Sequence, residues 1–172
     1  EKDTWKLLGA QIVGTEGVDK RLDVLATAMH AGMKANMLKD LDLAYAPPFS
    51  SAKDPVNMAG FMIENIRNGF VKQYHWDEIA GLPRDGSVTL LDTRTAYEYK
   101  SGHIDGYINI PVDDLRERMN EIDDSKPVYV ICQSGLRSYI ACRILTQNGF
   151  DCYNFSGGYR FYASVIKEKE MS

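Results

Sequence analysis

The chain has 172 residues, 44% of them hydrophobic and 26% charged, with a formal net charge of −4. This composition is ordinary for a globular protein and gives no reason to expect nucleic acid or an acidic membrane surface as a partner. No apolar run approaches the roughly 18 residues that a membrane span needs, and no basic start followed by an apolar stretch marks a secretion signal. The three cysteines, Cys132, Cys142 and Cys152, match no zinc spacing, so no metal is expected. Few cysteines without a framework suggest a reducing, cytoplasmic setting.

In chain order, residues 5–14 read as a strand carrying Leu7, Leu8, Ile12 and Val13. Residues 19–30 read as an amphipathic helix, since Leu22, Leu25, Ala26 and Met29 recur at helical spacing. A short segment at 37–43 has no decided type. Ala46-Pro47-Pro48 then breaks regular structure, because each proline fixes φ and lacks a donor. Asp54-Pro55 starts a helix over 56–67, and Asn68-Gly69 stops it. These elements are too few to close a core, so residues 1–68 are expected to pack on missing chain, a partner subunit or both.

Residues 69–172 have a different pattern. Short apolar runs at 88–91, 107–110 and 128–131 read as buried strands, with a further strand at 151–155. Helical patterns at 95–100, 112–122 and 138–148 lie between them, the last with Ile140, Ala141, Ile144 and Leu145 on one face. Strands alternating with helices predict an α/β domain, a parallel sheet covered on both faces.

In such a sheet ligands sit beyond the carboxyl ends of the strands. The strand at 128–131 runs directly into Cys132-Gln133-Ser134-Gly135-Leu136-Arg137-Ser138. Cys132 therefore faces a helix N-terminus, whose unpaired N–H groups and dipole stabilise an anionic sulfur. Gly135 permits the tight turn, and Arg137 supplies a permanently charged fork suited to an oxyanion such as a thiosulfonate. Read without such a loop, a cysteine is a small buried apolar residue, which is how Cys142 and Cys152 read.

These residues resemble the rhodanese family. Leu91-Asp92-Thr93-Arg94, Glu98 and the run from Gly102-His103-Ile104-Asp105-Gly106 to Pro111 are similar to its first signature. The loop from Val130 to Ser138 is similar to its second, and Gly149-Phe150 and Gly157-Gly158 also match. The resemblance covers about residues 70–172. It implies that Cys132 is the catalytic nucleophile, accepting sulfane sulfur from a donor and passing it as a persulfide to a thiol, with residues Gln133, Ser134, Gly135, Leu136, Arg137 and Ser138 binding the substrate. Asp92, Arg94 and Glu98 read as a charge network at the strand end, and His103 as a loop-ordering hydrogen-bonder. Two other readings stand beside sulfur transfer. A cysteine phosphatase or arsenate reductase uses a similar loop with one residue more between Cys and Arg than the four found here. A non-catalytic binding module of the same fold usually lacks the cysteine.

Residues 1–68 carry a second resemblance. Leu7-Leu8-Gly9-Ala10-Gln11-Ile12-Val13-Gly14, Lys20-Arg21-Leu22-Asp23, the run from Asp42 to Ser50, and Lys53-Asp54-Pro55-Val56-Asn57 are similar to the dimerisation domain of pyridine nucleotide-disulfide reductases, in the coenzyme A-disulfide reductase branch. Some members of that branch carry a rhodanese domain at the C-terminus. The resemblance implies a partial α+β dimerisation domain ahead of the rhodanese domain, a homodimer, and a longer parent using FAD, NAD(P)H and coenzyme A. It makes Tyr45 the candidate that reaches across the dimer to the partner's coenzyme A site. No G-x-G-x-x-G turn is present, so this chain itself is expected to bind no cofactor.

Overall fold

The computed structural model describes residues 1–171, and the chain divides into two units, Glu1–Gly69 and Phe70–Ser172. In the second unit five strands, β1 (Lys72–Tyr74), β2 (Thr89–Asp92), β3 (Ile108–Asn109), β4 (Val128–Ile131) and β5 (Cys152–Phe155), form one parallel sheet in the order β1-β5-β4-β2-β3. Neighbouring side chains on a strand point to opposite faces. Leu91 and Val130 accordingly enter one apolar cluster, and Leu90 and Ile131 the other. A sheet apolar on both faces needs cover on both. The helix α4 (Leu136–Gln147) covers the first with Ala141, Cys142, Ile144 and Leu145. On the second face Tyr159 and Tyr162, from the helix α5 (Gly158–Met171), pack against buried Tyr74, Tyr107 and Phe155. The Tyr74 and Tyr107 hydroxyls, 3.1 Å apart, satisfy each other inside this layer.

Strand order places the site. From β2 the chain goes outward to β3 and then returns to the other side of β2 as β4. The β2–β4 boundary is therefore the topological switch point, where a crevice opens beyond the carboxyl ends of the strands. Asp92, the last residue of β2, is in register with Ile131, the last of β4. The Thr93 N–H and hydroxyl both donate to the Ile131 carbonyl, at 2.8 and 3.0 Å, and so lock the two ends together.

Three expectations are corrected. Residues 112–122 are not a helix but a run of turns ending in a 3-10 turn, Met119–Glu121. Val112, Leu115, Met119 and Ile122 still face the core, so turns reproduce the three- and four-residue apolar spacing without a helix. Residues 5–14 form no strand. Their part of the chain makes one isolated bridge, Lys6 with Lys34, and without a neighbouring ladder an extended segment is not fixed as a strand. The helix expected from residue 138 starts at Leu136, which places Arg137 and Ser138 in its first turn and not in the loop.

The first unit contains α1 (Val18–His30), a 3-10 turn at Ala35–Asp40 and α2 (Pro55–Arg67). Asp54 and Asn57 form a reciprocal capping box at the start of α2, and Arg21 on α1 donates to Asp54 at 3.1 Å. Desolvation pushes the Asp54 carboxyl up, but the cap's own bond from Val56 N–H and then the Arg21 hydrogen bond hold it below its ordinary range. Ala28, Leu38 and Val56 are the buried centre. Leu8, Val13, Leu22 and Met29 remain exposed, and Leu22 and Met29 line a cavity of about 270 Å3 together with Leu25 and Ile63. No helix among the described residues is long and apolar enough to cross a membrane.

Candidate active site

Cys132 follows β4 directly and is fully buried. Three residues later Gly135, at φ +102, caps α4 and turns its own N–H back onto the sulfur, Gly135 N to Cys132 Sγ 3.1 Å. An L side chain rarely adopts that φ, which is why glycine stands there. Ser138 Oγ lies 3.2 Å from the sulfur and 3.1 Å from the Gly135 carbonyl, so its one proton has two acceptors. The sulfur thus sits at the start of a helix, where N–H groups lack intrahelical acceptors and the dipole is positive. Leu136 is 62% exposed at the outer side of the loop.

The loop is held from below by the first turn of α5. Tyr159 N–H donates to the Cys132 carbonyl at 2.8 Å, and Arg160 N–H to the Gln133 carbonyl at 3.2 Å. Gly158, at φ +70, lets those chains meet, for a Cβ on it would stand 2.5 Å from Ser134 N. Sequence reasoning noted Gly157-Gly158 as a family match but assigned no role to Gly158 or Tyr159. The signal available was a glycine pair directly after the last strand.

The expected network of Asp92, Arg94 and Glu98 is two separate pairs. Arg94 and Asp92, each 1% exposed, form a buried bidentate pair, with Nε and Nη2 donating to the carboxylate at 2.6–3.0 Å. Arg94 also donates to the Gly102 carbonyl at 2.8 Å and reaches Gln133 Oε1 at 3.4 Å, and the Tyr159 ring lies 3.9 Å from its guanidinium. Glu98 turns the other way. Its carboxylate receives both amino groups of Arg137 at 2.7 Å and the Thr95 N–H at 2.9 Å. The Arg137 fork is therefore not bare, as expected for an oxyanion cradle, but occupied. His103 is exposed, stacked on Tyr99 at 4.1 Å, with Nδ1 3.1 Å from the Tyr99 carbonyl. Tyr45, in the other unit, is 53% exposed and lines a recess of about 170 Å3 with Ser50, Lys53 and Asp54.

The Arg137 hydrogen bond draws the Glu98 carboxyl from its ordinary 4.5 down to about 2. A depressed carboxyl contributes stability that is full above its unfolded value and is lost as pH falls through the folded one. Protonation of Glu98 thus removes the pair's contribution, and the melting temperature is expected to fall progressively from pH 4.5 toward pH 2. A thermal melt series over that window should show a shallower acid slope in Glu98→Gln, and an unchanged slope would count against the pairing.

Cys142 and Cys152 lie in the core cluster, and burial pushes both thiols up, Cys152 to about 12. Among the described residues no group of three or more His, Cys, Asp or Glu is placed to hold a metal ion. Beside the loop a cleft of about 210 Å3 is lined by Tyr97, Ser101, Gly102, Gln133 and Tyr159 together with the paired Arg94 and Glu98.

Residues 75–164 match the family model of the rhodanese-like domain, and residues 1–56 that of the pyridine nucleotide-disulphide oxidoreductase dimerisation domain. The chain is 46% identical over 61 residues, 36% of its length, to a coenzyme A disulfide reductase of Staphylococcus epidermidis. It is similar to the structure of reduced CoADR-RHD from Bacillus anthracis, with TM-score 0.92 and 47% identity over 98% of the chain. It is also similar to an NAD-dependent persulfide reductase from A. fulgidus, with TM-score 0.71 and 39% identity over 84% of the chain. The chain spans 14% of the first relative's length and 30% and 26% of those two structures' chains.

Proposed function

This chain belongs to the rhodanese-like domain family, with a segment of a pyridine nucleotide-disulphide oxidoreductase dimerisation domain ahead of it, and within that family we propose that it is a sulfurtransferase module carrying sulfane sulfur as a persulfide on Cys132. The carrying observation is the position of Sγ at the switch point, taking the Gly135 N–H within reach of the Ser138 hydroxyl. In the first half-reaction the Cys132 thiolate attacks the outer sulfur of a donor. A sulfur–sulfur bond forms to Cys132, the donor's own bond to that sulfur breaks, and its electron pair leaves on the remaining thiolate or sulfite. In the second, an acceptor thiolate attacks the outer sulfur of the persulfide and Cys132 departs as thiolate. Donors aimed at the sulfur hold the outgoing and incoming negative charge in both steps.

The reductase family implies FAD and NAD(P)H. The residues present do not fit a dinucleotide, since the sheet's switch point carries Cys132-Gln133-Ser134-Gly135 in place of a glycine-rich phosphate turn. We assign these cofactors, and coenzyme A persulfide or polysulfide as substrate, to a longer, homodimeric, cytoplasmic enzyme. Within it Cys132 exchanges sulfur with the substrate, and Tyr45 reaches the partner's coenzyme A site.

Intact mass after incubation with coenzyme A persulfide or thiosulfate tests the reading. One added sulfur is expected, mapped by peptide digestion to Cys132. No gain from either donor, or a gain only at Cys142 or Cys152, would overturn it.

The floor of the loop gives a second expected result. Backbone atoms of Gln133 and Ser134 cannot swing away from a Cβ at Gly158, so Gly158→Ala moves the loop relative to its sulfur. A displacement of about 1 Å costs about a hundredfold in rate. Single-turnover loading should fall by that order. Gly149→Ala, also at positive φ but in open space, should lose stability and keep the loading rate.

A further inference from the structure

Two arginine side chains stand at the Cys132 loop, and each is already matched. Arg94 places Nε and Nη2 on Asp92 and the Gly102 carbonyl and turns Nη1 to Gln133 Oε1 at 3.4 Å, and both amino groups of Arg137 lie on Glu98. Glu98 cannot easily turn aside, because its Oε2 also takes the Thr95 N–H and hydroxyl at 2.9 Å. Two guanidinium groups and two carboxylates leave the entrance electrically balanced. Arg160 is exposed, where solvent and salt screen its charge. Thiosulfate would bring a dianion against the Cys132 thiolate and would find no unpaired fork for its sulfonate. The adjoining cleft offers phenol, hydroxyl and amide groups in about 210 Å3, with Tyr97 82% exposed at its side.

We propose that Glu98 sets the charge class of the sulfur donor: by clamping Arg137 it turns the site away from donors with a sulfonate at the reacting end and toward persulfides whose atoms next to the sulfur form an uncharged polar organic arm, which the cleft of Tyr97, Ser101, Gln133 and Tyr159 receives. The inference rests on the reading of Cys132 as a persulfide carrier. The favoured step is balanced without further reactants. The Cys132 thiolate attacks the terminal sulfur of R–S–SH, the sulfur–sulfur bond of the donor breaks, and R–S⁻ leaves with the electron pair while the proton stays on the new persulfide. Glu98 acts through Arg137 and is a positioning residue.

The test is the ratio of kcat/KM for thiosulfate to that for 2-hydroxyethyl persulfide, measured on the full chain and two variants. Glu98→Gln keeps one oxygen acceptor for the Thr95 cap, removes the charge, and puts an amide donor where the second oxygen met Arg137 Nη2, so the clamp on Arg137 is lost. It should raise the ratio about tenfold, chiefly through a lower KM for thiosulfate, as expected when one partly solvated charge is uncovered beside a dianion. Arg137→Gln leaves the Glu98 carboxylate unpaired near the sulfur and should push the ratio below that of the unaltered chain. Opposite signs in the two variants are the signature, since loop damage would slow both donors in both variants. An unmoved ratio, or a shift of the same sign in both, overturns the proposal. If neither donor adds sulfur to Cys132 in the unaltered chain, the underlying reading fails instead. If both donors load and the ratios do not diverge, only the role of Glu98 fails.

Discussion

Cys132→Ser is expected to take up no sulfur from any donor, a loss of about 10⁴-fold or more in loading, while the fold stands. The nucleophile in either half-reaction is a thiolate, and a serine oxygen in the same place stays protonated at neutral pH and forms no persulfide. The surroundings accept the change. The Gly135 N–H and the Ser138 hydroxyl that now meet Sγ at 3.1 and 3.2 Å are partners an oxygen also accepts. Stability should therefore change by no more than about 1 kcal/mol. Intact mass and a urea midpoint on the same preparation separate the two effects. A chain that served only as a binding module would keep its partner in this variant. Sulfur uptake that survived in Cys132→Ser would move the chemistry to another residue.

Asp92→Ala is expected to be the most destabilising single change in the second unit. Asp92 and Arg94 are each 1% exposed, and the carboxylate takes the Arg94 backbone N–H as well as the guanidinium. Removing one partner of a buried pair leaves an uncompensated charge, at a cost of about 3–5 kcal/mol. The loss should also reach the site, because Arg94 holds the Gly102 carbonyl and touches Gln133. Urea unfolding should show a large drop in midpoint, and Asp92→Asn, which still accepts hydrogen bonds, a smaller one. A midpoint shift no greater than that of exposed Lys100→Ala would show that the pair contributes little.

The position of the sulfur was legible from local pattern. A four-residue apolar run entering a cysteine, followed by glycine and a helical pattern, already implies a strand, a turn and a helix N-terminus, and these are β4, Gly135 and α4. What was not legible depends on residues far apart in the chain. Arg137 pairs with Glu98 across 39 positions, and no spacing rule connects them. The same holds for Tyr159 N–H on the Cys132 carbonyl. The error at 112–122 had a different source. Core contact at helical spacing requires only that every third or fourth residue turn inward, which successive turns achieve. For 5–14 the apolar pattern alone suggested a strand, but strand formation depends on a neighbour, and among the described residues this segment makes one isolated bridge, Lys6 with Lys34.

The sheet's pairing order also sets a timetable for the newly made chain. β1 hydrogen-bonds only to β5, Lys72 opposite Tyr153, so the first strand of this unit waits for its last. Contacts so distant in sequence form late. The segment that supports the loop, Gly158 to Arg160, leaves the ribosome later still. During synthesis Cys132 is therefore displayed on an unfinished sheet, its carbonyl without the Tyr159 N–H and its loop without a floor. The ability to hold sulfur should be acquired only once residues 158–160 have emerged, and ribosome-stalled chains ending before residue 158 should carry none.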